Sequence, residues 1–375
     1  MGTSPVRLSL AAIGLSVLLT SGARAREIPA RLGDPAFWEI VTGLSEESGR
    51  FPGQYMSNED SALVVIPELR RRTAPGGVYI GVGSEQNFTY IAATRPRLAF
   101  IVDIRRENML QHLLYKALFE LSGDRADFVS RVFSRPRPPG LETETDVRTL
   151  FARYAETGTD ASLIAQNTAE ALDLLVGGHG FPLTGEDQAA IRRIGEAMAA
   201  AGPDTLQGMG DPTNPSYARL MAATDLEGGL ESYLASEENF RIVKDLESRN
   251  LVVPLVGDFA GDRAIEGIGD YLRERDAVAD VFYVSNVERY LFDQGEPGMR
   301  FYRNVESLPL SGSALFIRSV TSDISYRLGI PIPDQPTKWR TFLFSIDDCL
   351  GDFAAGRIGN YRELFDLGFA DRVNR

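Results

Sequence analysis

The chain has 375 residues and a formal net charge of −13, with one cysteine, two histidines and three lysines at 116, 244 and 338. An acidic chain of this kind is not built to hold a phosphate backbone, so nucleic acid is not an expected partner. A single thiol, Cys349, excludes an internal disulfide and a cysteine zinc site, no lysine completes a GxxxxGK[ST] loop, and no GxSxG elbow is present to serve His112 or His179.

Residues 1–25 read as a removable export signal. Arg7 supplies the positive start, Leu8 to Leu19 the apolar stretch, and Ala23-Arg24-Ala25 the small-x-small cleavage form. Cleavage after Ala25 predicts a mature chain of 350 residues (375 − 25) in the periplasm or outside the cell. No later run reaches membrane-spanning length. Asn58 to Arg72 carries apolar residues at helical spacing and ends at Pro75-Gly76.

The stretch from Gly76 to Asn108 is the richest in chemistry. Val78 to Val82 is a short apolar strand, Gly81 and Gly83 remove two side chains where the backbone turns, and Leu98 to Val102 is a second strand closed by Asp103. Asp103 lies 20 residues beyond Gly83, the spacing at which an acid on the next strand meets the ribose hydroxyls of a bound cofactor. The third glycine of a full fingerprint is replaced by Glu85 and Gln86.

Helices follow over Glu107 to Ser122 and Asp124 to Phe133, and His112 falls on the apolar face of the first, as a packed or capping residue would. RPRPPG at Arg135 to Gly140 is a linker, the pattern from Glu142 to about Ala201 is helical, and a glycine- and proline-rich loop covers 202–216. His179, in GGHGFPLTGEDQ, reads as a turn residue. Residues 124–230 therefore read as a helical insertion within one domain, 26–375, because strands resume only at Leu251.

Leu251 to Val256 is a continuous apolar strand leading into Gly257-Asp258, Ala264 to Glu274 is its crossover helix, and Val278 to Val284 runs into Ser285-Asn286. Ala314 to Val320 and Arg340 to Ile346 supply two more strands. This alternation predicts an α/β fold: a Rossmann-like, mostly parallel sheet with helices on both faces and a large helical insertion after the second strand. Asp103, Asp258 and Asn286 then sit at three successive strand ends, where ligands of such sheets bind.

GVG after the first strand, Asp103 after the second, Gly257-Asp258 after the third and Ser285-Asn286 after the fourth resemble the class I S-adenosylmethionine-dependent methyltransferase fold. The strings SNE at Ser57 to Glu59, GVGSEQNFTYI, AFIVDIRREN and FYVSNVERYL resemble an uncharacterised bacterial family of methyltransferase-like proteins, some of them exported. The resemblance implies S-adenosylmethionine as cofactor, its amino-acid end passing Gly81 and Gly83, its ribose on Asp103, its adenine near Asp258 and its methyl group facing Asn286.

The departures are Tyr79 where that fold usually has an acid, and Glu85 where it often has a glycine; Glu85 either holds the cofactor's ammonium group in place of that acid or fills the pocket. SNVE names no acceptor atom, and Glu288 and Glu59 are the carboxylates available as a base. Two alternatives stay open: an exported, catalytically silent binding protein presenting its helical insertion to a protein partner, and a nicotinamide-dependent oxidoreductase. No metal ligands are expected.

Overall fold

A computed structural model of the chain describes residues 1–2, 27–52, 55–204, 214–321 and 338–366. Nearly all of the expected export signal at 1–25 lies outside the described residues. Among the described residues, six strands form one sheet in the order β3-β2-β1-β4-β5-β6. They are β1 Val78–Gly81, β2 Leu98–Asp103, β3 Val252–Val256, β4 Ala279–Ser285, β5 Leu310–Thr321 and β6 Trp339–Ser345. Neighbours pair in parallel except β5 and β6, which are antiparallel. The fold is thus the α/β, Rossmann-like, mostly parallel arrangement expected from the alternating pattern.

The parallel strands are apolar because helices cover the sheet. Every residue of β1, β2 and β3 is buried. Pro254 interrupts β3 without breaking it, since among the described residues β3 is an edge strand paired with β2 alone. Chain order reverses between β1 and β4, which makes their carboxyl ends the switch point where a crevice opens.

The first four helices are α1 Asp34–Leu44, α2 Ile66–Arg72, α3 Gln86–Thr94 and α4 Arg106–Leu121, and α3 is buried along its whole length. The single helix expected over Asn58 to Arg72 is in fact a 3₁₀ turn at Ala62–Val65 followed by α2. Pro67 explains the break: it has no N–H to donate to an earlier turn and fits only where a helix starts. After α4 come α5 Arg125–Phe133, α6 Val147–Ala155, α7 Ala161–Leu172, α8 Gly185–Ala201 and α9 Tyr217–Met221, then α10 Glu237–Ser248. Helices α5, α7 and α8 all pack on α4, so the helical region between β2 and β3 shares the core of the sheet domain.

The remaining helices are α11 Ala264–Arg273, α12 Val287–Asp293, α13 Glu296–Glu306, α14 Ile346–Ala354 and α15 Glu363–Asp366. No helix among the described residues is long and apolar enough to cross a membrane.

Beneath the β4–β6 side lies a buried ion pair. Arg318 on β5 donates from Nε to Glu288 Oε2 at 2.6 Å and from Nη2 to Oε1 at 2.9 Å, while the Tyr302 hydroxyl donates to Oε1 at 2.8 Å. Both ionic side chains are almost fully buried, at 1% and 2% exposure. The guanidinium also lies over the Phe316 and Phe344 rings, 4.5 and 4.6 Å from their centres. This cluster fastens α12 and α13 to β5. Removing one partner strands a buried charge, so Glu288→Ala is expected to lower unfolding stability by about 3–5 kcal/mol, measured by urea denaturation. A loss below about 1 kcal/mol would mean the pair is open to water.

Candidate functional site

A cavity of about 480 Å³ opens at the carboxyl ends of β1, β2, β3 and β4. Its wall includes Glu59, Gly83, Asp103, Asp258 and Asn286, five of the residues singled out from sequence. Each arrives on a different element.

The glycine turn after β1 is held from behind by buried side chains. Asn87, in the first turn of α3, donates Nδ2–H to the carbonyls of Val82, Gly83 and Ser84 at 2.9, 3.3 and 2.7 Å, and its Oδ1 accepts from the Tyr79 hydroxyl at 2.9 Å. His112 of α4 donates Nε2–H to the Gly83 carbonyl at 2.8 Å. Burial pushes the imidazole down to about 4, so it stays neutral as a donor. Gly83 has φ of +78°, where a side chain would be strained. Gly81 serves close approach instead: a Cβ there would collide with Asn87 Oδ1 and lie 2.7 Å from the Tyr79 ring. It does not line the cavity, so the cofactor contact expected of Gly81 becomes support of the turn.

Asp103 ends β2 with its carboxylate at the cavity wall. Oδ1 accepts from Arg105 N at 2.9 Å and Nε at 3.0 Å, and Oδ2 from Arg105 Nη2 at 3.1 Å. Asp258 follows β3 and closes its own turn, Oδ1 accepting from Ala260 N at 2.9 Å. Asn286 follows β4, next to Ser285, whose backbone is left-handed at φ +50°. Phe259 and Tyr283 add aromatic wall.

Between α1 and the 3₁₀ turn, residues 45–52 and 55–61 lie across these strand ends as a strap. Glu46 accepts from the backbone N–H groups of Asp258, Arg263 and Ala264 at 3.2, 3.0 and 2.8 Å, closing the amino end of α11. Gly49 N donates to Ile104 O at 2.8 Å, and Ser45 Oγ accepts from Val256 N at 3.0 Å. Arg50 and Phe51 then pass the cavity mouth, and Phe51 meets Tyr290 of α12 edge to face at 4.9 Å. None of Glu46, Arg50, Phe51, Tyr283, Tyr290 and Trp339 was picked out from sequence. For Glu46, Arg50 and Phe51 the available signal was length, since a connection this long inside a compact domain is usually functional.

The strap's far end forms the cavity floor. Glu59 is 4% exposed; its Oε1 accepts from the Ser285 hydroxyl and its Oε2 from Ser319 Oγ at 2.5 Å. Burial raises its carboxyl above the ordinary range against these two hydrogen bonds.

Glu85 departs from expectation. It is fully buried, accepts from Ser57 N at 2.9 and 3.1 Å through its two oxygens, and does not line the cavity. It holds neither a ligand's ammonium group nor space in the pocket; it anchors the strap. Tyr79 does not reach the cavity either, being consumed by Asn87. Glu288, expected as a base, is locked on Arg318 away from the wall. His179, read as a turn residue, joins α1 to α4 by contacts to Asp34 at 2.8 Å and Glu120 at 3.1 Å, which raise its pKa. Among the described residues no group of three or more His, Cys, Asp or Glu side chains is placed to hold a metal ion.

Burial pushes the Glu85 carboxyl up to about 7 from an ordinary 4.5, despite the Ser57 N–H shared between its oxygens. A raised folded-state pKa gives stability that is complete below about 4.5 and is lost as pH rises to about 7. His112, lowered to about 4 from 6.5, acts in the opposite sense over the lower part of that window. The Glu85→Gln variant isolates the first term: its urea-denaturation stability, relative to the parent, is expected to rise between pH 4.5 and 7 and then level off. A difference independent of pH would show that Glu85 is already ionised throughout.

Residues 55–138 and 199–347 match the model of a family described as Domain of unknown function (DUF7790). The matched segments contain Glu59, Gly83, Asp103, Asp258, Asn286 and Trp339, and leave out the middle of the helical insertion. No curated protein matches the chain. With more than half of its length covered, the chain belongs to the DUF7790 family.

Proposed function

We propose that the chain is a methyltransferase-like protein whose cavity takes a nucleoside of the S-adenosylmethionine type. The observation that carries this reading is the convergence of the glycine turn after β1 with Asp103, Asp258 and Asn286 on one wall. Three successive strand ends contribute to a single crevice at the switch point.

The residues present fit such a molecule. Gln86, which lines the cavity just after the glycine turn, carries a buried Nε2 donor that lacks a well-formed hydrogen bond among the described residues, although its side chain also interacts with the Tyr90 hydroxyl. A carboxylate at the ligand's amino-acid end would satisfy it. Asp103 keeps one acceptor site on Oδ2 for a ribose hydroxyl beyond the three taken by Arg105, and Asp258 and Phe259 provide the polar edge and flat face that a purine needs. When bound, the group supplies an electrophilic methyl. The chain's part is to hold the acceptor in line beside Asn286 and to receive an acceptor proton on Glu59.

The nicotinamide reading is weaker, because β6 runs antiparallel and no second parallel nucleotide-binding half is completed. A catalytically silent binding protein on the same fold is the second reading. It is favoured by the bidentate pairing of Asp103 with Arg105 and by the burial of Glu85.

Calorimetric titration with S-adenosylhomocysteine decides between them. The parent chain is expected to bind saturably and Asp103→Ala at least about tenfold more weakly, a change of about 1.4 kcal/mol. No heat from either protein would leave the silent reading standing.

A further inference from the structure

The part of the cavity beside β4 and the amino end of β6 contains groups that the nucleoside itself does not touch. Glu59 reaches it from the strap, tied to β4 through Ser285 and to β5 through Ser319. The left-handed backbone of Ser285 is an uncommon conformation for a residue with a side chain, and it sets that hydroxyl on the Glu59 carboxylate. Glu59 is therefore a fixed acceptor at the floor of the cavity.

A donor stands nearby. Trp339 lines the cavity, and its backbone N–H donates to Oδ1 of Asp60, the next residue after Glu59, at 3.1 Å. Its indole Nε1 is buried without a hydrogen-bond partner among the described residues. An indole N–H can only donate, and leaving it unsatisfied costs about 1–3 kcal/mol, so an oxygen atom on a ligand would recover that loss.

At the mouth, Phe51 and Tyr290 are 40% and 39% exposed, an unusual state for two large rings in edge-to-face contact. Beside Phe51, Arg50 lines the cavity and forms no ion pair among the described residues. A flat ligand would slide against the rings, and a carboxylate on it would meet the guanidinium.

We infer that the β4–β6 side of the cavity is a separate subsite for a planar hydroxylated carboxylic acid, its hydroxyl donating to Glu59 and its remaining oxygens taken by Trp339 and Arg50. Naming that acid as the methyl acceptor rests on the nucleoside reading; the subsite itself does not. A protonated amine is disfavoured, since it would bring a positive charge to Arg50 and leave the indole donor unmet.

The test is calorimetry on the full chain with 2-, 3- and 4-hydroxybenzoate, benzoate and tyramine as separate probes, and with S-adenosylhomocysteine titrated in parallel. At least one hydroxybenzoate is expected to bind saturably, with benzoate at least about tenfold weaker for want of the hydroxyl. Arg50→Ala and Trp339→Phe are each expected to weaken that acid by about tenfold while leaving S-adenosylhomocysteine within about threefold. The inference is overturned if no hydroxybenzoate binds, if tyramine binds more tightly, or if the two variants weaken acid and nucleoside alike. Acid binding without nucleoside binding would remove the methyltransferase reading and keep the subsite; the reverse would remove the subsite alone.

Discussion

The site depends on one buried amide. Asn87 gathers three successive carbonyls of the turn after β1; the Gly83 carbonyl has a second donor in His112, while those of Val82 and Ser84 would lose their side-chain donor without it. The turn cannot be held from the ligand side and remain open to a ligand, so its support has to come from behind. Tyr79 fixes the Asn87 amide in the required sense by donating to its oxygen, and His112 secures the Gly83 carbonyl from α4. This explains the two departures from the methyltransferase pattern in one stroke. A tyrosine two residues before the first glycine is a second layer of the turn, and Gly81 has no side chain because that layer fills the space.

The same logic extends to Glu85. A carboxylate directly behind the turn is costly to bury unless backbone donors meet it, and Ser57 N–H does so from the strap. The strap is thereby pinned at both ends, by Glu46 on the amino end of α11 and by Glu85 below the floor. Between those pins it delivers Arg50 and Phe51 to the mouth, and just past the second it delivers Glu59 to the interior.

Much of this was legible in the sequence and part of it was not. The strands, the glycine turn and the acids at 103 and 258 are local signals: apolar runs, a missing side chain and a fixed spacing that do not depend on the rest of the chain. Misreadings arose where a residue's meaning is set by a distant partner. Glu288 looks like a free acid four residues from the end of a strand, and only the fold shows Arg318 across from it. Glu85 sits in the motif itself, yet its charge is answered by a backbone group 28 residues earlier. Trp339 reaches the cavity because β6 returns antiparallel beside β5, which periodicity alone does not specify.

That antiparallel return also bears on what the crevice can hold. In a fold built from two parallel nucleotide-binding halves, the strand beyond β5 continues in the same direction and its carboxyl end offers a second phosphate and ribose site. Here β6 brings its amino end, Trp339, to the cavity, along with the Lys338 and Trp339 backbone donors that are taken by Asp60. The crevice is therefore asymmetric. Acids at the ends of β2 and β3 face one side, suited to sugar hydroxyls, while an aromatic and hydroxyl-lined wall faces the other. A ligand with two equivalent nucleoside ends would match only half of it; one nucleoside and one smaller molecule match both.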